Sequence, residues 1–157
     1  MNTETERKFL VKDDSFRAAA VKTYSIRQGY IAHDGGNTVR IRIRDDEGFL
    51  TIKGKTTDDG LSRPEWEMQI PLQDALELFK LCKSGRIEKF RHIVPAEGGL
   101  KWEVDEFLGE NEGLVMAEIE LPSPDATFAR PSWLGTEVTG VSSYYNSYLS
   151  KHPYKTW

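Results

Sequence analysis

Charged side chains recur at every second position in run after run of this chain. Glu4, Glu6 and Lys8 form one such set; Arg40, Arg42 and Arg44 form another. The same step carries Thr51, Lys53 and Lys55, then Arg63, Glu65 and Glu67, Lys89 and Arg91, Glu103 and Asp105, and finally Glu118 and Glu120. The interleaved positions are mostly apolar: Val39, Ile41 and Ile43; Leu50 and Ile52; Trp66, Met68 and Ile70; Trp102 and Val104; Ala117, Ile119 and Leu121. Residues two apart share a face only in a β-strand, so these segments are strands with one charged and one apolar face. The pattern predicts eight strands, at about 3–11, 24–33, 38–46, 48–55, 63–70, 86–94, 100–107 and 114–121. Turn-rich separators such as His33-Asp34-Gly35-Gly36-Asn37, Asp45-Asp46-Glu47-Gly48 and Glu97-Gly98-Gly99 join them into an antiparallel meander.

Three helices are expected to interrupt the strands. Asp13 or Asp14 caps a first helix through Lys22, with Phe16, Ala19 and Ala20 on one face. Pro71 opens a second through Cys82, with Leu72, Ala75, Leu76 and Phe79 at helical spacing and Gly85 just beyond. A third runs from Thr139 to Lys151, with Val141, Tyr145 and Tyr148 stacked. The fold class is mainly β (α+β), in a single domain over 1–157.

A sheet with one wet face is the plain reading of any one such strand. The set resists it. The charged faces carry little Ser, Thr or Gln, and the signs segregate: acids on the first, fifth and eighth strands, bases on the third, fourth and sixth. Like charges repeated along a face destabilise a sheet unless something opposite lies between them. A closed eight-stranded antiparallel barrel with the charges inside supplies that arrangement, because its interior is wide enough for one small ligand. Grouped carboxylates suit a hard divalent cation such as Mg²⁺ or Mn²⁺. Grouped Arg and Lys suit phosphate oxygens. A metal-bound polyphosphate would neutralise both walls, and the outward apolar faces would be covered by the helices.

Composition narrows the function classes. The 157 residues are 38% hydrophobic and 29% charged, with a formal net charge of −4, which does not favour general nucleic-acid binding. The longest purely apolar run, Ala18-Ala19-Ala20-Val21, is far short of the roughly 20 residues a membrane helix needs. Glu4 and Glu6 stand where a signal peptide would be apolar, and Cys82 is alone, so the expected compartment is cytoplasmic and Cys82 is expected to be a buried small hydrophobe. The tempting Gly54-Lys55-Thr56 lacks the leading Gly of a phosphate-binding loop, because position 49 is Phe. His33, His92 and His152 have no ligand spacing. Trp66, Trp102 and Trp133 are expected in the core or under helices.

Glu4-Thr5-Glu6-Arg7-Lys8 resembles the ExExK signature of the CYTH domain, or triphosphate tunnel metalloenzyme, superfamily. The likeness continues in order through Arg40-Ile41-Arg42, Thr51-Ile52-Lys53, Arg63-Pro64-Glu65-Trp66-Glu67, Lys89-Phe90-Arg91, Asp105, Glu118-Ile119-Glu120, Glu137-Val138-Thr139-Gly140 and Tyr144-Tyr145-Asn146, most closely in the compact bacterial members. The resemblance implies a tunnel that hydrolyses triphosphates with two divalent metals, Mg²⁺ or Mn²⁺. It implies Glu4, Glu6, Glu118 and Glu120 as metal ligands with Asp105 assisting. Lys8, Arg40, Arg42, Lys53, Lys89 and Arg91 would clamp phosphates, with Glu65, Glu67 and Tyr145 in support. Lys8 also belongs to the implied catalytic set, whereas Arg44, Lys55, Arg63, Lys101 and Arg27 are expected at the rim or surface. The chain departs from the family at Val141-Ser142-Ser143, where relatives often carry an acidic and a basic residue. The expected substrate is inorganic triphosphate, with nucleoside triphosphates second. Rival activities on the same scaffold are class IV-type adenylate cyclisation and thiamine triphosphate hydrolysis, and a non-catalytic polyphosphate or nucleotide binder is a further alternative. No nucleic-acid or membrane partner is expected, and the chain is expected to be a monomer or homodimer.

Overall fold

The computed structural model describes residues 2–83 and 85–157. Among them are nine strands: β1 Asn2–Val11, β2 Lys22–Asp34, β3 Asn37–Arg44, β4 Glu47–Lys53, β5 Ser62–Ile70, β6 Arg86–Pro95, β7 Lys101–Phe107, β8 Val115–Glu120 and β9 Leu134–Glu137. They lie in the order β5-β4-β3-β2-β6-β7-β8-β1-β9, and β5 also pairs with β1. That last pairing, Glu4 opposite Arg63 and Thr5 opposite Ser62, closes the first eight strands into an antiparallel barrel. β9 is an extra strand that sequence alternation does not reveal. It pairs with the far end of β1, Phe9 opposite Glu137 and Val11 opposite Leu134.

Directly opposed residues share a face, and the register puts every expected charged face on one side. Arg40 faces Thr51, which faces Glu67; Lys53 faces Glu65; Arg91 faces Asp105; Glu103 faces Glu118; Glu120 faces Glu6. That side is the lumen. The outward faces form two cores. Phe9, Val94, Trp102, Val104, Ala117 and Ile119 pack beneath Phe16 of α1 (Phe16–Ala19), Trp133 and Leu134. Ile41 and Ile43 of β3 pack beneath Ala75 and Phe79 of α2 (Leu72–Phe79) and beneath Cys82. The helix sits close because two strand positions lack a side chain. A Cβ on Gly29 would lie 2.5 Å from that of Cys82, and one on Gly48 would lie 2.5 Å from that of Ala75.

A third apolar cluster lies at one end of the barrel: Ile87, Phe107, Leu114 and Met116, with Leu10 against it. Leu149 of α3 (Asn146–Leu149) completes it, so the C-terminal segment plugs that end. At the other end Glu67, Lys101 and Glu120 are exposed, and the lumen opens there.

The helices differ from expectation in length. The first spans only Phe16–Ala19, because Lys22 already begins β2, and Asp13 caps the backbone N–H of Ser15 instead of a longer helix. The second ends at Phe79, with Cys82 in the turn beyond, fully buried as expected. The third is broken. A 3-10 turn over Ser142–Tyr144 is separated from α3 by Tyr145 in extended conformation (φ −70°, ψ 139°). Val141 is therefore exposed and stacks on neither tyrosine. Trp102 and Trp133 are buried, but Trp66 stands 39% exposed on the outer face of β5, beside Ile52 and Met68, where no helix covers it. No described helix is long and apolar enough to cross a membrane.

Candidate active site: a barrel lumen with two charged walls

Strand order converts the alternation into walls. β5, β1, β8 and β7 are contiguous around the barrel and bring Glu65, Glu67, Glu4, Glu6, Glu118, Glu120 and Glu103 to the lumen. β4, β3 and β6 bring Lys53, Arg40, Arg42, Lys89 and Arg91. Lys8, on β1, is a basic residue set in the acidic wall, 3.4 Å from Glu118. β2, between β3 and β6, is uncharged toward the lumen; its Tyr24 and Tyr30 line the cavity and its Gln28 is fully buried. Nothing in a charge pattern marks these three, although their parity matches the charged sets. The cavity has a volume of about 260 Å³. Arg44, Arg63 and Lys101, expected at the rim or surface, also line it.

The walls are cross-linked. Lys53 Nζ lies 2.6 Å from Glu4 Oε1 and 3.4 Å from Glu65. Arg40 Nη2 donates to Thr51 Oγ1 (3.1 Å), which donates to Glu67 (2.7 Å). Asp105 is almost wholly buried and absent from the lining. Its carboxylate accepts two hydrogen bonds from Arg91, at 2.8 Å each, and one from Lys89 Nζ at 2.7 Å. Asp105 thus fixes two cations and does not present its oxygens to the lumen. Asn146 of α3 completes the arrangement: its Oδ1 accepts from Lys89 Nζ (2.9 Å) and from Gln28 Nε2 (3.2 Å), and Gln28 Oε1 accepts from Arg42 Nε (3.0 Å). Sequence reasoning missed Gln28 and gave Asn146 no role, although Asn146 lies in the Tyr144-Tyr145-Asn146 segment of the family likeness, because neither residue type shows its part until its partners are known. Tyr145 lies under Lys8, with the ammonium 5.3 Å from the ring centroid.

Burial and neighbouring charge set the electrostatics of each wall. Burial, then neighbouring Glu118 and Glu4, push Glu6 up to about 8. Burial raises Glu4 as well, against the pull of Lys53. Burial also opposes the charge of Glu118, but Lys8, Arg91 and Lys89 outweigh it and hold Glu118 well below the ordinary carboxylate range. On the basic side, burial, then Arg40 and Arg91, lower Arg42 to about 9. Burial lowers Lys89 to about 7 despite its contact with Asp105. Burial is the first cause of the shifts of Glu6, Arg42 and Lys89, and like-charged neighbours add to each, whereas Glu118 and Arg91 already have opposite charge beside them. Among the described residues, Arg40 Nε and Arg44 Nε are buried without a hydrogen-bond partner. Unpartnered buried guanidinium donors beside a cavity fit an anionic ligand.

A divalent cation fits the acidic wall by the chemistry of its donors. Glu4, Glu6, Glu118 and Glu120 offer hard carboxylate oxygens, and a cation would offset the burial and the neighbouring carboxylates that raise Glu6. In this structure no three of the described acids already converge as a cation cage, since Glu4 turns to Lys53 and Glu118 to Lys8.

Comparison with known proteins agrees with this geometry. The chain is 50% identical over 158 residues to an inorganic triphosphatase of Acetivibrio thermocellus, covering 100% of this chain and 99% of that protein. It is 35% identical over 151 residues to an inorganic triphosphatase of Nitrosomonas europaea, covering 94% and 97% of the two chains. A crystal structure of an inorganic triphosphatase superposes with a TM-score of 0.69 at 32% identity, covering 96% of each chain. A Hippeastrum protein described as an adenylyl cyclase with a dominant triphosphatase activity shares the fold, with a TM-score of 0.64 at 18% identity over 78% of this chain and 81% of that one. The CYTH domain profile matches residues 2–151, and with a closed barrel, its two charged walls and relatives of this identity, the chain belongs to the CYTH domain family.

Proposed function

We propose that this chain is a divalent-metal-dependent triphosphatase, with inorganic triphosphate as its substrate. The observation that carries the reading is the pair of facing walls, one rich in carboxylates and one in Arg and Lys, around a cavity of about 260 Å³. The relatives named above support it.

Glu4, Glu6, Glu118 and Glu120 would hold the metal, which supplies charge neutralisation and an acidified water when bound. Arg40, Arg42, Lys53, Lys89 and Arg91, with Lys8 from the opposite wall, grip the phosphate oxygens. They stabilise charge that builds on the leaving pyrophosphate. Asp105 and Asn146 hold Lys89, and Gln28 holds Arg42, so these cations are set before substrate arrives. Such preorganisation matters because charge stabilisation in a lumen shielded from bulk water needs no further rearrangement during reaction. Asp105 is assigned this positioning role in place of the metal contact its family likeness implies. Glu65 and Glu67 keep Lys53 and Arg40 oriented.

The test is phosphate release from inorganic triphosphate and from ATP, measured side by side with Mg²⁺, Mn²⁺ or EDTA, with the ATP products separated. Metal-dependent release favouring inorganic triphosphate is expected. Cyclic AMP and pyrophosphate from ATP would replace the hydrolase reading with the cyclase. Absence of turnover of either would overturn it in favour of a binding role.

A further inference from the structure

The ammonium of Lys8 has partners of three kinds. It donates to the main-chain carbonyl of Tyr144 (3.3 Å), lies 5.3 Å from the ring centroid of Tyr145, and stands 3.4 Å from Glu118. The first two belong to the C-terminal segment, and the third is a carboxylate proposed for the metal. Tyr144 ends the 3-10 turn Ser142–Tyr144. A turn of three residues is not stable by its own backbone bonds. Val141 and Ser142 are exposed, so the turn is anchored through the ring of Tyr144. That ring packs on the apolar cluster at the plugged end of the barrel. It also meets the indole of Trp157 edge-on, with centroids 5.2 Å apart and planes at 69°. Trp157 in turn meets the ring of Tyr154 (5.1 Å, 65°), and its Nε1 donates to the carbonyl of His152 (3.1 Å). The N–H of Tyr154 donates to Oδ1 of buried Asn111, in the connection from β7 to β8 (2.8 Å). The segment around Trp157 is thus moored to that connection and braces Tyr144.

We propose that Trp157 is a positioning residue for Lys8, acting through Tyr144. The inference rests on the triphosphatase reading, in which Lys8 grips phosphate oxygens. It adds a residue that is not in the lining of the lumen. Without the indole, the ring of Tyr144 keeps only its contact with the apolar cluster, and the short turn relaxes. Its carbonyl then draws away from Lys8. A buried ammonium must keep an acceptor, and Glu118 is the carboxylate beside it. Lys8 closing on Glu118 costs the site twice: the phosphates lose a cation, and the metal loses a carboxylate oxygen. Phe at position 157 keeps a ring against Tyr144 and loses only the bond to His152, so it preserves the brace.

The experiment compares the unmodified chain with Trp157→Ala, Trp157→Phe, Lys8→Gln and the double variant Lys8→Gln/Trp157→Ala. Binding of inorganic triphosphate is measured by titration calorimetry with Ca²⁺, and kcat and KM with Mg²⁺. Trp157 is 52% exposed, so its loss leaves the barrel folded, and Trp157→Leu replaces the alanine variant if that one does not fold. Lys8→Gln leaves the cations of the basic wall to bind triphosphate. Trp157→Ala is expected to raise Kd about 5-fold and to lower kcat, as loss of one aromatic contact allows, with Trp157→Phe close to the unmodified chain. In the Lys8→Gln background the same alanine substitution is expected to change nothing, which a general loosening of the fold would not produce. Unchanged constants in Trp157→Ala would overturn the proposal. So would an equal loss in both backgrounds, or a phenylalanine variant as impaired as the alanine one. Hydrolysis of inorganic triphosphate that ignores position 157 would remove the brace and leave the triphosphatase reading standing. Binding that depends on Trp157 only when Lys8 is present, with no turnover, would keep the brace and remove that reading.

Discussion

Asp105 illustrates how far a residue's type falls short of its role. The family likeness implies it as an assisting metal ligand, but in this structure three hydrogen bonds from Arg91 and Lys89 occupy its carboxylate. The tertiary partners decide, because a buried carboxylate must be paired and the nearest cations take it. Asp105→Asn leaves Lys89 buried without its ion-pair partner and Arg91 with Glu103 alone. A loss of about 3–5 kcal/mol in unfolding free energy is expected, the usual cost of breaking a buried pair, measured by urea denaturation. A loss under about 1 kcal/mol would show that the lumen solvates both cations. Arg42 is the complementary case, held by Gln28 with its guanidinium toward the cavity. Arg42→Ala is expected to cost about 2–4 kcal/mol in kcat/KM for inorganic triphosphate, a typical loss for one charge-stabilising donor. An unchanged kcat/KM would remove Arg42 from the phosphate site. Glu6→Gln, which keeps shape but removes a metal oxygen's charge, is expected to abolish turnover.

The strands were legible as elements because alternation is a local signal, and one face of each is committed to the lumen. The C-terminal helix was not. Its apolar spacing predicts one continuous helix, yet the chain extends at Tyr145. Gly140, Ser142 and Ser143 are weak helix formers, and the break lets Tyr145 lie under Lys8 while Asn146 reaches Lys89. β9 was illegible for a related reason: four residues are too few to show a period, and its strand conformation comes from pairing with β1. The side-chain link between those strands is Arg7 with Glu137, two hydrogen bonds of 2.7 and 2.8 Å. Those bonds hold Glu137 below its ordinary value of 4.5. A carboxylate lowered on folding adds stability above its unfolded pKa and loses it as pH falls through the folded one. Glu137→Gln should therefore cost about 1 kcal/mol at neutral pH. The difference from the unmodified chain should shrink as pH drops below 4.5, followed by urea midpoints across pH 3–7. A constant difference would show that the pair's worth is not electrostatic. Under α2 the constraint is steric. Gly29→Ala drives a methyl to 2.5 Å from Cys82 Cβ, and about 1–3 kcal/mol of overpacking is expected in thermal unfolding.

For the whole molecule, the two walls make an empty lumen electrostatically expensive. A ligand that binds only the folded state stabilises it by mass action, by about 2.7 kcal/mol at a hundredfold excess over Kd. With the same cation throughout, Ca²⁺ chosen to slow turnover, inorganic triphosphate should raise Tm less in Glu6→Gln than in the unmodified chain, because Glu6 is itself a proposed ligand. No shift in either at saturation would argue against a polyanion in the lumen. The amino-acid sequence by itself determined the eight barrel strands and the face each charge occupies, since parity and charge are properties of neighbours in the chain. It could not determine which strands stand side by side. Only the closed order β1-β5-β4-β3-β2-β6-β7-β8 gathers the acids of β5, β1, β8 and β7 into one wall and the bases of β4, β3 and β6 into the other. The same closure brings Asn146 from the end of the chain to Lys89. Those arrangements depend on pairings between residues far apart in sequence, and a local pattern contains no record of them.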